Sequence, residues 1–400
     1  MTSPGQAPLV AVTGLGVISP LGDQLDPVLA ALRAGKGALS PLPGLGGAAA
    51  AAVPDFDASR YATIRGLRLY GRPIRMAISA AQLALTDAGL SPGKVPAEEL
   101  GTVTACSLGH VETLLEYDRS VATQGPLRGN PALMPLGLPS SPGAAVALSF
   151  GAKAFSMALA GAGAGLDALG LGARMVSAGR AKACLVVASF GLSPELSLAA
   201  SRAGWLAPDG RALPFDRRRS GAALGEGAVA LVLERLADAR ARGQAGRAAV
   251  AGLAAAFAPD PSVRDAAVAR ACQGALLQAG PGPAVGLVSA GASGAVELDR
   301  AEARGLLAAL GAAAPRTPVT AVKACLGEPL DAGGLFQCLP ALDALRSGRL
   351  PPVAGLAEPE VPGLGYLLAE GRGEVRRALV TTTTLDGACA AAVLERIDER

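Results

Sequence analysis

Histidine and aromatic residues are scarce in this chain. A single histidine, His110, occurs among 400 residues, and aromatic residues make up 3% of the sequence. One imidazole excludes any mechanism that needs two histidines, and so few aromatic side chains cannot form the stacking platforms that bind single-stranded nucleic acid. The net charge is only +3, which provides no basic field to attract nucleic acid. We therefore expect neither a two-histidine reaction centre nor nucleic-acid binding.

Paired metal-binding cysteines, long apolar runs and a secretion signal are also missing. The six cysteines, at positions 106, 184, 272, 325, 338 and 389, are scattered, without the paired spacing of zinc sites. Glycine, proline or charge interrupts every apolar run before it reaches the length of a membrane span. The start, MTSPGQAPLVAVTGLGV, has no charged segment followed by an apolar core. We expect reduced cysteines, no metal centre, no membrane association and a cytoplasmic location.

Apolar runs typical of strands alternate with long Ala/Leu-rich helical segments. This alternation predicts an α/β protein with buried sheets. The polar segment ADARARGQAGRA, residues 237–248, is predicted to be a linker between two comparable halves, residues 1–236 and 247–400. The like order of the halves indicates an internal duplication. The basic run Arg217, Arg218 and Arg219 is predicted to be a solvated loop.

One glycine-rich turn, ALAGAGAGLDAL at residues 158–169, leads from a strand into a helix. Corners of this kind usually present a reactive side chain at the helix N-terminus. Here the turn offers only alanine and glycine at positions 160–164. The sequence thus predicts a corner with a structural role and no nucleophile.

An ordered set of segments gives the chain a family resemblance. Beside the corner, the set comprises VAVTGLGVISPLG, MPLGLPSSPGAAVALSFG, LPFDRRRSGAALGEGAVALVLE, SAGASGAVELDRAEA and VKACLGEPLDAGG. In this order and spacing the chain resembles the β-ketoacyl synthases along nearly its whole length. The resemblance implies a thiolase-like fold, in which duplicated βαβαβαββ halves form one unit with five αβαβα layers. It implies no metal or organic cofactor.

Active members of that family use a cysteine and two histidines. The cysteine lies at the N-terminus of the corner helix, where the helix dipole favours the thiolate that accepts an acyl chain. The histidines assist decarboxylation of a malonyl unit and stabilise the enolate oxygen. In this chain the resemblance places the three positions at Ala162, Gly291 and Glu328, while Lys323 matches the family's lysine and Leu385 the gate. We expect the chain to be inactive alone.

Other polar groups in these segments are expected to have structural roles. Asp299, Glu302 and Glu226 are expected to be structural ion-pair or capping groups, and Lys323 and Glu328 to form an ion pair at the vestigial site. A different cysteine chemistry, based on Cys106 with His110 or on Cys325 with Glu328, stays open as an alternative. Cys106 follows an apolar strand and His110 precedes a helix, which favours structural roles for both.

In lacking the nucleophilic cysteine, the chain resembles the chain-length factor, the inactive subunit of bacterial type II polyketide synthases. That resemblance implies a heterodimer with an active ketosynthase, which elongates polyketide or polyene chains on an acyl carrier protein. The inactive subunit would set the tunnel length. The segments implied to line the tunnel contribute Leu108, Val111, Leu114, Leu115, Met134, Leu136 and Leu138. A homodimeric scaffold that binds acyl chains, and a degenerate ketosynthase with different acyl chemistry, are the alternatives.

Overall fold

The computed structural model describes residues 8–42, 48–90, 94–108 and 110–398. The outer ends of the two predicted halves, residues 1–7 and 399–400, lie outside the described residues. The helices are α1 Leu25–Arg33, α2 Arg72–Asp87, α3 Val111–Gln124, α4 Met134–Gly137, α5 Ser141–Phe150, α6 Ala164–Ser177, α7 Pro194–Arg202, α8 Leu236–Ala241, α9 Arg264–Ala279, α10 Val296–Leu310, α11 Lys323–Leu326 and α12 Gly333–Ser347. The strands are β1 Val10–Ile18, β2 Ser40–Pro41, β3 Ala49–Ala51, β4 Leu100–Ala105, β5 Phe155–Leu159, β6 Ala183–Phe190, β7 Leu224–Gly225, β8 Gly227–Arg235, β9 Ala248–Phe257, β10 Leu287–Ala290, β11 Pro318–Ala321, β12 Arg349–Leu350, β13 Gly365–Tyr366, β14 Gly371–Arg372, β15 Arg377–Thr383 and β16 Ala388–Glu395.

The long strands repeat one arrangement twice. The first half has the order β5-β4-β6-β8-β1 and the second the order β11-β10-β15-β16-β9, with β13 added at the outer edge. In each half the first three strands are parallel, and the last two pair antiparallel. The halves meet where β1 pairs with β9 through Ala11 with Ala249 and Val12 with Ala248. This equivalence confirms the predicted duplication.

Helices cover both faces of each set of strands. Helix α2 packs on β1 and β8, and α9 packs on β9 and β16, so these two helices form the outer layers. Between the sheets, α6 packs on β4 and β6, α12 packs on β10 and β15, and the two helices contact each other. A parallel sheet must be covered on both faces, which explains why α12 is buried at 13 successive positions from Gly333 to Leu345. The predicted five layers are confirmed.

Local sequence signals set the C-terminal ends of helices α2 and α6. Helix α2 ends at Asp87, and Gly89 follows with a φ of +67°, which is the left-handed cap that glycine adopts at low cost. Helix α6 ends at Ser177 and is followed in the same way by Gly179, with a φ of +73°. Both helices therefore stop where the sequence places a glycine.

The structure adds a helix to one polar segment and corrects the prediction for another. The segment predicted to be a linker contains helix α8, because Leu236 and Ala239 form a buried face within an otherwise polar stretch. In the basic run, Arg217 and Arg218 are exposed but Arg219 is buried, and its guanidinium donates to Glu360 and to the carbonyl of Val296 at 2.7 Å. Among the described residues no helix is long and apolar enough to cross a membrane.

Candidate functional site

Four of the five positions assigned by resemblance to the reaction centre and its gate line one pocket: Ala162, Lys323, Glu328 and Leu385. They come from different elements, since Ala162 lies before α6, Lys323 begins α11, and Leu385 lies in the turn between β15 and β16. The pocket has an empty volume of about 300 Å³ and is completed by Trp205, Leu298, Leu330, Thr382, Thr383 and Thr384. None of the described residues that line it is cysteine, serine or histidine.

The fifth position, Gly291, lies against β15 beside this pocket. Its backbone N–H donates to Glu302 Oε1 at 2.8 Å. A Cβ atom at Gly291 would lie 3.1 Å from the Thr381 carbonyl oxygen and from Thr382 Cα, and 3.2 Å from Glu302 Oε1. Because these separations are shorter than ordinary van der Waals contacts, an imidazole at this position would require the surrounding backbone to shift.

A buried ion pair occupies the remaining histidine position. Lys323 Nζ donates to Glu328 Oε2 at 2.6 Å, and the two side chains are 5% and 8% exposed. The other carboxylate oxygen of Glu328 accepts the backbone N–H of Leu330 at 3.1 Å. This geometry confirms the predicted ion pair. Since Glu328 neutralises the ammonium of Lys323, the pair cannot offer a free positive charge to a substrate carboxylate.

Hydrogen bonds from two other segments hold the corner. Gly161 has a φ of +145°, and its N–H donates to Ser107 Oγ at 2.8 Å. Ser107 in turn donates its N–H to Asp331 Oδ2 at 2.8 Å and its hydroxyl to Asp331 Oδ1. Burial raises the pKa of Asp331 to about 6. Close packing also fixes the corner, because a Cβ atom at Gly165 would lie 2.7 Å from the Asp331 carbonyl oxygen.

Ser107 and Asp331 were not among the residues predicted to form the site. Both residues lie within glycine-containing segments, ACSLGH and LDAGG. A polar residue close to a glycine in sequence is a weak indication of a buried side chain that bonds to backbone. The corner thus keeps its shape through groups that surround it, although the corner itself carries no reactive atom.

The three acids with predicted structural roles do bind neighbouring segments. Glu226 forms an ion pair with Arg72 Nη2 at 2.6 Å. Asp299 accepts three backbone N–H groups, from Phe215 at 2.9 Å and from Ser293 and Gly294 at 3.0 Å.

Glu302 accepts the hydroxyl of Thr381 at 2.6 Å in addition to the N–H of Gly291. Burial raises the pKa of Asp299 to about 6 and that of Glu302 to about 7. These two carboxyl groups are therefore capping groups that fix the backbone beside Gly291.

The cysteines show little sign of activation. All six are buried, and burial raises the pKa of Cys325 to about 11, which disfavours the nucleophilic thiolate. Cys106 and His110 line a common second pocket. The ring nitrogens of His110, however, contact the hydroxyl of Thr113 and, at 3.2 Å, the carboxylate of Glu112. His110 occupies the N-cap position of α3, where its side chain makes no capping hydrogen bond, so the prediction that it precedes a helix is confirmed.

The residues predicted to line a tunnel fall into two groups. Leu108 and Val111 lie on the wall of the second pocket. Farther along α3, Leu114 packs so closely on Gly137 of α4 that a Cβ atom there would lie 2.3 Å from Leu114 Cγ. Leu115 is half-buried on α3, Leu136 is half-buried on α4, and Met134 and Leu138 are exposed. In the single chain, two of the seven residues therefore line a pocket, and the other five lie on α3, on α4 or directly after α4.

Comparison with known proteins decides which family this architecture represents. The model of the β-ketoacyl synthase N-terminal domain matches residues 8–239, and that of the C-terminal domain matches residues 246–357. The chain belongs to the β-ketoacyl synthase family. This confirms the resemblance inferred from the ordered segments and, with it, the thiolase-like fold.

Individual relatives within the β-ketoacyl synthase family match nearly the whole chain. The tetracenomycin polyketide synthase ketoacyl synthase beta subunit of Streptomyces glaucescens is 33% identical over 406 residues, which cover 97% of this chain and 98% of that protein. The alpha subunit of the same synthase is 29% identical over 429 residues, covering 98% of this chain and 97% of that one. The solved structure of the ishigamide ketosynthase/chain length factor matches with a TM-score of 0.89 at 25% identity, over 98% of this chain and all of that one.

Proposed function

We propose that this chain is a chain-length factor, the non-catalytic subunit of a heterodimer with an active ketosynthase. In this role the partner condenses malonyl units onto an acyl chain delivered by an acyl carrier protein. The present chain limits how many units the product contains. Residues 1–236 and 247–400 act as two halves of one unit, in the cytoplasm, on polyketide or polyene chains.

The absence of reactive side chains in the pocket around Ala162 is the main support for the proposal. A methyl group cannot accept an acyl chain, the hydrogen of Gly291 cannot hold an enolate oxygen, and Glu328 is engaged by Lys323 at 2.6 Å. The framework that would position a reactive side chain is nevertheless intact, from the Gly161–Ser107 hydrogen bond to the acids beside Gly291. The chain therefore keeps the backbone structure around the site but lacks the reactive side chains. This combination suits a subunit that contributes its shape to a complex and does not itself catalyse condensation.

An exposed strand edge supports the pairing with a second chain. Strand β5 lies at the end of its sheet and bonds only to β4 among the described residues. Its residues Ser156, Met157 and Ala158 are exposed. Apolar side chains are also exposed at Met134 on α4, at Leu138 directly after it, and at Leu148 on α5, the helix that packs on β5. Because an uncovered apolar edge strand is a template for another chain, a ketosynthase-like partner fits this face.

The limit on chain length follows from volume. Each unit added to a confined chain must displace packed atoms once the available space is full. Helix α3, which carries Leu114 and Leu115, packs on α4, which carries Met134 and Leu136. Helix α4 in turn contacts α5, and α5 packs on β5, so these contacts connect the four side chains with the β5 edge. A partner docked on this edge would bring its own tunnel against these side chains. The higher identity to a synthase beta subunit than to the alpha subunit, 33% against 29%, agrees with this role.

Co-expression with a ketosynthase that has the complete Cys-His-His site tests the proposal. We expect a 1:1 complex by native mass spectrometry, and elongation of carrier-bound malonyl units only when both subunits are present. Met134→Trp and Leu114→Trp should shorten the product, because the larger ring fills the tunnel. Leu277→Trp, at a highly exposed position on α9, is the matched control and should leave product length unchanged.

Three results would contradict the proposal. A stable homodimer without affinity for the ketosynthase would favour the acyl-binding scaffold. Elongation by the ketosynthase alone, with the same product, would remove any need for this chain. Stoichiometric acylation of Cys106 or Cys325 would instead favour a degenerate ketosynthase with chemistry of its own.

A further inference from the structure

Strand β9 borders a long open groove that none of the described helices fills. The groove, which we call the β9 groove, lies between β9 and the C-terminal parts of α6 and α9 and has an empty volume of about 1320 Å³. Beyond Ala249, β9 forms no pairs with β1. The larger apolar residues of the lining come from both halves of the chain and comprise Pro8, Leu9, Val10, Val250, Leu253 and Pro281.

The internal duplication relates the β9 groove to a second site, on α12. Helices α6 and α12 approach each other symmetrically: a Cβ atom at Gly165 would lie 3.3 Å from the backbone nitrogen of Leu335, and one at Gly334 would lie 3.0 Å from that of Leu166. Leu166 and Leu335 are therefore equivalent positions. Counted from these two, the residues of α6 that line the β9 groove match those of α12 that line a much smaller pocket: Gly170 with Leu339, Ala173 with Leu342, Arg174 with Asp343, and Ser177 with Arg346.

The strands beside the two helices are related in the same way. Leu15 of β1 donates its N–H to Asp87 at the end of α2, at 2.8 Å, and Leu253 of β9 donates its N–H to Gln278 near the end of α9, at 3.1 Å. Helices α2 and α9 are the equivalent outer helices of the two halves. Because Leu15 lines the pocket on α12 and Leu253 lines the β9 groove, the two sites are copies of one arrangement.

Helix α1 covers the site on α12. It buries Val28, Leu29 and Leu32 and contacts α12. Arg33, in the last turn of α1, pairs with Asp343 of α12 at 2.5 Å. The pocket that remains between α1, β1 and α12 has an empty volume of only about 260 Å³. At this site the arrangement therefore accommodates an amphipathic helix.

The second half of the chain has no counterpart of α1 among the described residues. Residues 19–71 connect β1 to α2 and include α1, whereas residues 258–263 connect β9 to α9 and contain a single 3₁₀ turn. The described part of the chain thus provides a helix for one of the two equivalent sites and none for the other.

Two differences between the equivalent sites define the helix that fits the β9 groove. Gly170 and Ala173 replace two leucines, which leaves room for larger apolar side chains than those of α1. Arg174 replaces an aspartate; it is exposed and forms no ion pair or side-chain hydrogen bond with the described residues. The other charged residue of the described lining, Glu395, pairs with Arg377 at 2.5 Å. The unpaired charge of the groove is therefore positive, and an acidic side chain complements it.

We propose that the β9 groove binds an amphipathic helix of a partner protein, which carries large apolar side chains on its buried face and an acidic side chain that pairs with Arg174. Binding of such a helix in an apolar groove is a recurrent mode of protein recognition. The inference goes beyond the proposed function and does not depend on it. In the strand order, β1, β8, β6 and β4 separate β9 from β5, and no residue of β5 lines the groove.

Two labelled peptides based on α1 test the groove on the whole purified chain, by fluorescence anisotropy. Both have the sequence of residues 22–36 with Leu25→Phe and Leu29→Phe, because these two leucines line the pocket on α12 and the β9 groove has more space. The acidic peptide also has Arg33→Glu, whereas the basic peptide keeps Arg33. We expect the wild type to bind the acidic peptide about five-fold more tightly than the basic peptide, since an attraction replaces a repulsion at an exposed site.

Three variants of the chain identify the site of binding. Arg174→Asp should reverse the preference for the acidic peptide, and it is expected to fold because Arg174 is exposed. Arg180→Asp, which makes the same charge change at an exposed residue outside the groove, is the matched control and should leave the preference unchanged. Ala173→Leu, which introduces the side chain of the equivalent Leu342, should fill the groove and weaken binding of the acidic peptide at least ten-fold.

Any of four results would overturn the inference. They are no binding of the acidic peptide by the wild type, equal affinity of the wild type for the two peptides, binding unaffected by Ala173→Leu, and equal effects of Arg174→Asp and Arg180→Asp, which would indicate attraction by net charge alone. A dimer of the chain in native mass spectrometry that Ala173→Leu dissociates would show that the groove holds a second copy of this chain, and would overturn the inference as well.

Discussion

The buried Lys323–Glu328 pair should behave as one structural unit. The side chains are 5% and 8% exposed, and their charged atoms lie 2.6 Å apart. Lys323→Met would leave the Glu328 carboxylate buried with a single remaining partner, the N–H of Leu330 at 3.1 Å. Removing one member of a buried pair typically costs about 3–5 kcal/mol, because the other charge stays uncompensated. We expect each of Lys323→Met and Glu328→Gln to lower the free energy of unfolding by about 3 kcal/mol.

The double variant, Lys323→Met/Glu328→Gln, should recover most of that loss. Once both charges are gone, the side-chain amide introduced by Glu328→Gln can still accept the N–H of Leu330, and no ion remains buried. Replacement of a whole buried pair by neutral groups is often nearly neutral in stability. We therefore expect the double variant to lie within about 1 kcal/mol of the wild type, which gives a coupling energy of several kcal/mol in the double-mutant cycle.

Urea titration at pH 7, followed by the fluorescence of the only tryptophan, measures these energies. Trp205 lines the same pocket as the ion pair, so its emission reports unfolding of this region. Lys153→Met is the control, since Lys153 and Glu98 are 3.9 Å apart and 68% and 75% exposed. It should change stability by less than about 1 kcal/mol. Additive losses at Lys323 and Glu328, each below about 1 kcal/mol, would refute the reasoning.

Three further predictions concern the surroundings of the emptied site. Gly291→His should lower the free energy of unfolding by about 2 kcal/mol, because its Cβ alone would press on three groups at 3.1–3.2 Å; unchanged thermal stability would contradict this. Burial raises the pKa of Glu302 from 4.5 to about 7, so the folded state favours the protonated side chain. The stability that this side chain contributes is complete below pH 4.5 and is lost as the pH rises through about 7, a decrease of roughly 3 kcal/mol in the free energy of unfolding. Glu302→Gln should flatten this fall in stability between about pH 5 and 8, whereas Glu297→Gln, exposed on the same helix, should not. Ser107→Ala should cost about 1–3 kcal/mol in urea titrations, because Asp331 loses the Ser107 hydroxyl as a donor and the N–H of Gly161 loses it as an acceptor; wild-type stability would show that this network does not hold the corner.

The site could be predicted from the sequence because the segments that contribute residues to it occur in a fixed order along the chain. Ala162, Lys323, Glu328 and Leu385 lie far apart in sequence, yet the ordered segments implied that they share a site, and the pocket contains all four. The tight packing at Gly291 could not be predicted, since it depends on how β15 and Glu302 approach the glycine.

Other features depended on tertiary contacts that no local pattern encodes. The Gly161–Ser107–Asp331 network joins three distant segments. Of three consecutive arginines only Arg219 is buried, because Glu360 and the carbonyl of Val296 meet it there. Helix α8 was missed because its apolar face consists of only two buried residues in a polar stretch.

Mass analysis of the working complex most directly tests the claim that this chain contributes shape and no chemistry. The reconstituted heterodimer would be incubated with an acyl chain on its carrier protein, quenched, and both intact subunits weighed. We predict one acyl group on the ketosynthase and none on this chain, whose six cysteines are all buried and whose nucleophile position is Ala162. An acyl adduct on this chain during turnover would contradict the account.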